Sequence, residues 1–222
     1  IIWSVKTVSF LLLLGVIELF SVYFYMKMHQ FSHVSVSTIV LRLRLVWIPL
    51  LAFLFVGERL SYVNYMGIFT IFFGLSLVTT PKEFFYDKGI KLAFLCSFIT
   101  AVLAVIVKII SPYVSASIIV LAMSIPPVFL FPFFVKDWKK RTKDFYSKNI
   151  TGVTTAVVAN ALSMYFQVQS LKIGNVSQVQ GVFQAVSLTT VLAGIFLLGE
   201  KEKIWQKLIG SAIVLVGVYL LI

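Results

Sequence analysis

Stretches of almost unbroken apolar sequence, each about the length of a bilayer-crossing helix, follow one another along the whole chain. They run at about 4–26, 34–56, 61–80, 89–110, 114–135, 149–171, 176–198 and 204–222, eight in all. Crossing a hydrocarbon core of about 30 Å at 1.5 Å per residue takes roughly 20 residues, so each stretch fits one helical span. None alternates apolar and polar residues as a membrane barrel strand does. Only 12% of the 222 residues are charged and mean hydropathy is +1.01, whereas soluble domains carry about 25% charge. A soluble core of this length has no room for so much apolar surface. The expected fold is an all-α multi-spanning membrane protein, with the lipid bilayer as its surroundings.

The breaks between stretches have physical causes. Pro81 and Pro112 each follow a span and help to end it. "GERLS" (57–61) and "GEKEK" (199–203) read as tight polar turns, and "VKDWKKRTKDFYSKN" (135–149) as the one long polar loop. The net charge of +11 is not a nucleic-acid footprint, because the basic residues sit in short clusters between apolar runs. One set of alternate loops, with Lys82, Lys91, Lys139, Lys140 and Arg141, is far more basic than the other. The positive-inside rule places that side in the cytoplasm and Ile222 outside. Cys96 is the single cysteine, so no internal disulfide forms. The chain begins at Ile1 with no evident cleavable signal, which suggests that its natural start lies further upstream.

The sequence also repeats itself. "ELFSVYFYMKMHQFSHVS" (18–35) aligns with "NALSMYFQVQSLKIGNVS" (160–177), matching Ser21 to Ser163, Tyr23 to Tyr165 and Phe24 to Phe166. Without a gap, Gly57-Glu58 then meets Gly199-Glu200, and after one inserted residue Gly67 and Gly74 meet Gly210 and Gly217. The copies divide the chain into 1–80, with three spans, and 81–222, with five. If both copies were once complete, two spans precede Ile1 and the whole protein has ten. A unit of five is odd, so consecutive copies enter the membrane in opposite directions. This is an inverted repeat of five-helix units, an architecture that places substrate sites near the midplane.

The stretches "FLFVGERL", "MGIFTIFFGLSLV" and "IFLLGEKEKIWQKLIGSAIVLVGVYLL" resemble the EamA family of the drug/metabolite transporter superfamily. The resemblance covers one partial and one complete EamA repeat. It implies a central cavity lined by the first four helices of each copy, with 61–80 and 204–222 at the periphery. It also implies passage of small polar metabolites or drugs by alternating access, with no cofactor. Members commonly keep both termini in the cytoplasm, which departs from the loop charges here. A plasma-membrane location fits such a role, and the reading leaves room for a homodimer.

Ionisable groups inside spans point to function, since each costs about 2.5–3.5 kcal/mol at the bilayer centre on insertion scales. Arg42 shares a repeat position with Gln184, and Glu18 shares one with Asn160. Polar groups thus recur at two depths. Arg42 lies on one helix face with Ser35 and Thr38, and Gln184 with Ser177 and Gln180. The functional reading makes Arg42 an anion-binding group whose fork matches a carboxylate, with Glu18 as its resting partner. A fixed Glu18–Arg42 ion pair is the plainer alternative. Arg44 is two residues on, about 200° around a continuous helix, so it is expected to point away and pair elsewhere or snorkel. Gln180 and Gln184 are candidate substrate contacts, because Gly181 between them permits close approach. Tyr23 and Tyr165 serve either substrate stacking or helix packing.

Other signals are weaker. Glu58 and Glu200 are expected to cap the helices that follow them. Pro126, Pro127 and Pro132 interrupt one span, and the first two form a candidate hinge, a static kink being the alternative. His29 and His33 lie four apart with no third ligand near, so no metal site is expected. Lys108 snorkels. A lipid-modifying enzyme would need an interfacial His, Asp or Cys cluster, and none is present. A non-transporting membrane subunit is the remaining alternative. No phosphate-binding loop of the G-x-x-x-x-G-K-[ST] type occurs, so gradients would supply the energy.

Overall fold

The computed structural model describes residues 4–31, 40–78, 88–135, 137–197 and 204–221. Every regular element among them is helical. The helices are α1 (Val5–Phe31), α2 (Arg44–Val56), α3 (Tyr62–Val78), α4 (Lys88–Ile110), α5 (Ala116–Phe134), α6 (Trp138–Lys148), α7 (Ile150–Ile173), α8 (Val176–Leu197) and α9 (Ile204–Leu221). Among the described residues, α1, α4 and α5 are long and apolar enough to cross a membrane. Shorter apolar helices cover Arg44–Val56, Tyr62–Leu77 and Leu208–Leu221. The chain divides into two compact units, Ile1–Tyr23 with Ile106–Ile173, and Phe24–Val105 with Gly174–Ile222.

In the first unit α5 packs on α7. Gly15 of α1 lets that helix close on α5, since a Cβ there would lie 2.7 Å from the Ala122 carbonyl and meet the Pro126 ring. Tyr23 and Phe134 stack at a tilt, with centroids 5.8 Å apart. The helix runs through Pro126, Pro127 and Pro132 without interruption of its assignment. The stretch read as a loop at 135–149 is instead largely α6. Its lysines and arginine are good helix formers, and no glycine or proline intervenes. Asp137 turns the chain into it with a left-handed φ of 57°, which a short polar side chain tolerates. Asn149 then starts α7, its Oδ1 accepting from the Gly152 amide at 3.0 Å.

The second unit is built around α3 and α9, which run antiparallel in close contact. Lipid gives apolar side chains no reason to leave it, so helices associate through tight backbone approach and interhelical hydrogen bonds. Both are present. A Cβ on Gly67 would lie 2.8 Å from the Gly217 carbonyl, and one on Gly74 would lie 2.8 Å from the Gly210 carbonyl. Asn64 donates to the Leu221 carbonyl at 2.8 Å. At the opposite end Gln206 donates to the Leu77 carbonyl at 3.0 Å. These bonds reach the last carbonyls of each helix, which have no partner within it. The sequence repeat equates Gly67 with Gly210 and Gly74 with Gly217. Exchanging α3 and α9 by that rule turns each glycine contact into the other. Leu45, Ile68, Ile71, Leu75, Val214 and Leu221 form the buried core of this unit. Helix α8 packs on α2, α3 and α9.

Gly57 closes α2 in the left-handed conformation at φ 72°. The Glu58 amide returns to the Ala52 carbonyl at 3.2 Å, satisfying an end group of the helix. This turn aims Glu58 somewhere unexpected. Its carboxylate accepts the Val176 and Ser177 amides at 2.9 and 3.1 Å, so it caps α8 and not the helix that follows it. Helix α3 is capped locally. Ser61 Oγ accepts from the Asn64 amide and Asn64 Oδ1 accepts from the Ser61 amide, both at 3.2 Å. Glu200, the repeat counterpart of Glu58, lies outside the described residues.

Candidate functional site

The segment expected as one helix over 34–56 is interrupted. Val40 and Leu41 are helical, Arg42 and Leu43 form a turn, and α2 starts at Arg44. Three-residue-spaced bonds carry the backbone through the break: Leu43 to Val40, Leu45 to Arg42 and Val46 to Leu43, at 2.8–3.0 Å. Pro49 lies inside α2 and cannot donate to the Leu45 carbonyl. The backbone is thus irregular where the two arginines stand.

Arg42 is 6% exposed. Its Nη1 donates to the Leu75 carbonyl in the last turn of α3. This adds a cation and a donor to the C-terminal end of α3, where Gln206 also donates. Arg42 therefore ties the turn to α3. Glu18 falls in the other compact unit, and Ser35 and Thr38 lie outside the described residues.

Arg44 pairs with a neighbouring helix, one of the two outcomes expected of it. Gln184 of α8 faces Arg44, and with its amide oxygen turned inward it accepts from both Nη2 and Nε. Gln180 and Gln184 are both buried. Between them Gly181 packs on α9, where a Cβ would strike the Leu221 side chain. One turn beyond Arg44, the Trp47 ring meets Phe94 and Phe98 edge to face, with centroids 5.6 and 5.7 Å apart. The Trp47 Nε1 and Ser177 Oγ atoms are buried without a hydrogen-bond partner among the described residues.

Glu58 is the one acidic residue described in this unit, and its carboxylate is held by the α8 amides. Among the described residues of the unit, then, no carboxylate neutralises Arg42 or Arg44. Break, arginine pair, glutamines and aromatic cluster bring together Arg42, Gln180 and Gln184 from the sequence-predicted set. They add Arg44, which the sequence reading expected to pair with another helix or snorkel, and Trp47, which it did not single out.

The other predicted residues belong to the first unit. Asn160 is exposed on α7 with its amide 3.8 Å from Met164 Sδ. Tyr165 Oη accepts from Gln169 at 2.9 Å along the same helix. Tyr23 packs on Phe134. Pro126 sits against Gly15. Two cavities, of about 300 Å³ beside Lys6 and Tyr113 and about 440 Å³ beside Pro49 and Phe69, contain none of the predicted residues. Among the described residues no cluster of three metal-ligating side chains occurs.

The model of the EamA-like transporter family matches residues 1–80 and 87–222. No curated protein matches the chain. One crystal structure, described only as that of a protein, superposes with a TM-score of 0.75 at 16% identity, over 99% of this chain and 78% of that one. At that identity the likeness shows the fold alone.

Proposed function

The chain belongs to the EamA-like transporter family, and from that premise we propose that it moves small polar organic molecules across a membrane by alternating access. It is an integral membrane protein of the drug/metabolite class, with apolar helices suited to lipid. The observation that carries the transport reading is the family match over nearly the whole chain. The matched blocks, 1–80 and 87–222, support two repeats. The crossing of α3 and α9, whose glycine contacts interchange under the repeat, supports an inverted relation between them. In that architecture discontinuous helices bind substrate near the midplane, and the interruption at Arg42–Leu43 is such a discontinuity.

The substrate pathway on this reading includes Arg42, Gln180 and Gln184, with Glu18, Asn160, Tyr23 and Tyr165 as further contacts. Pro126 and Pro127 serve as the hinge. The test is reconstitution of the full natural protein into proteoliposomes with a pool of labelled amino acids, organic acids and amines. Counterflow of at least one compound above protein-free vesicles is expected. Folded, correctly inserted protein that moves none of them overturns the proposal.

A further inference from the structure

Two permanent cations stand at the break before α2, and neither meets a carboxylate among the described residues of their unit. Arg42 is spent on the end of α3. Among the described residues Arg44 is hydrogen-bonded by a neutral amide, that of Gln184, with Tyr25 and Cys96 as further electrostatic neighbours. A guanidinium cannot shed its proton to escape burial, and an amide dipole offsets less charge than an anion does. One turn along α2 stand an aromatic cluster of Trp47, Phe94 and Phe98 and a buried indole N–H with no acceptor among the described residues.

Resting on the transport reading, we infer that the substrate is a small organic anion whose charged group displaces the Gln184 amide from Arg44. Both Nη2 and Nε face the same side of the guanidinium, the edge that takes a carboxylate or phosphonate through two parallel bonds. The Trp47 N–H supplies a third donor, and the ring cluster accommodates an apolar body. Arg42 adds positive potential without touching the ligand. Gln184, released, holds Arg44 again when the anion departs. This swap gives the site a neutral stand-in for each stage of the cycle.

The test uses the full natural protein with four compounds of one shape: benzoate, phenylphosphonate, benzamide and benzylamine. Equilibrium dialysis and thermal unfolding measure binding, and proteoliposome flux of the same four measures transport. Saturable binding of benzoate or phenylphosphonate is expected, with benzamide and benzylamine at least about tenfold weaker, as loss of a charge-assisted hydrogen bond requires. Arg44→Gln should weaken the anion by about tenfold or more, and Arg44→Lys by less. If Arg44→Gln does not fold, discrimination among the four compounds by the unaltered protein decides alone. Equal or tighter binding of the amide or amine overturns the anion assignment, as does failure of both anions to bind. Flux of the amide or amine in that case leaves transport standing. Absence of flux for these four and for the wider pool removes both readings together.

Discussion

Glu58 accepts the backbone N–H of Val176 at 2.9 Å across 118 residues of chain, so the turn after α2 supplies the N-terminal cap of α8. The helix that carries Gln180 and Gln184 is therefore positioned by a residue far away in sequence. Each N–H bond to a charged acceptor contributes about 1.5–3 kcal/mol. Glu58→Ala is expected to destabilise the protein by about 2 kcal/mol or more, and Glu58→Gln by less, because an amide oxygen still accepts. Equilibrium unfolding in mixed micelles measures both. Equal stability of Glu58→Ala and the unaltered protein would remove the cap.

Asn64 and Gln206 act at opposite ends of the α3–α9 pair. Interhelical hydrogen bonds in membranes average about 0.6 kcal/mol. Asn64→Leu and Gln206→Leu should each cost about that much, and the double variant about the sum, since the sites share no partner. A double-mutant cycle in micelles reads the coupling, and a large coupling energy would mean that the two ends are not independent.

Gly67 has no room for a side chain, because Gly217 main-chain oxygen already lies where one would go. Gly67→Val should separate α3 from α9 and cost about 1–3 kcal/mol or more, as overpacking does. Folded yield and thermal stability after detergent extraction should both fall. A Gly67→Val protein as stable as the original would mean that the helices do not meet there.

Trp47 offers a variant that parts ligand binding from folding. Its Nε1 has no acceptor among the described residues, so Trp47→Phe removes a buried donor without breaking a described hydrogen bond, while an aromatic ring remains beside Phe94 and Phe98. Stability should change by less than about 1.5 kcal/mol, as for a tolerated apolar exchange. Benzoate binding should weaken by about tenfold. Thermal unfolding and equilibrium dialysis on one preparation separate the two effects. A fall in stability with unchanged benzoate affinity would make Trp47 a packing residue only.

Helical architecture was legible wherever apolar length spoke for itself, and α1, α4 and α5 lie where hydropathy puts them. Gly67, Gly74, Gly210 and Gly217 stood out in the sequence, although sequence alone could not show that they meet crosswise. Arg44 was expected to pair with a neighbouring helix or snorkel, and it pairs with Gln184 of α8, a partner that only tertiary packing selects. A turn at Arg42–Leu43 leaves no local mark, as neither glycine nor proline stands there. The target of Glu58 was out of reach for a different reason: a carboxylate beside a turn is compatible with any nearby helix start, and only tertiary packing selects α8. Helix α6 was hidden by composition, since a charged, polar segment reads as loop unless its helix propensity is weighed.

The crosswise glycines limit how this helix pair can change. The hollow left by each missing side chain is filled by main chain from the facing helix, which no substitution there can trim away. Added bulk at either crossing point thus has no compensating exchange on the opposite member of the pair, and only a wider spacing of the two helices could admit it.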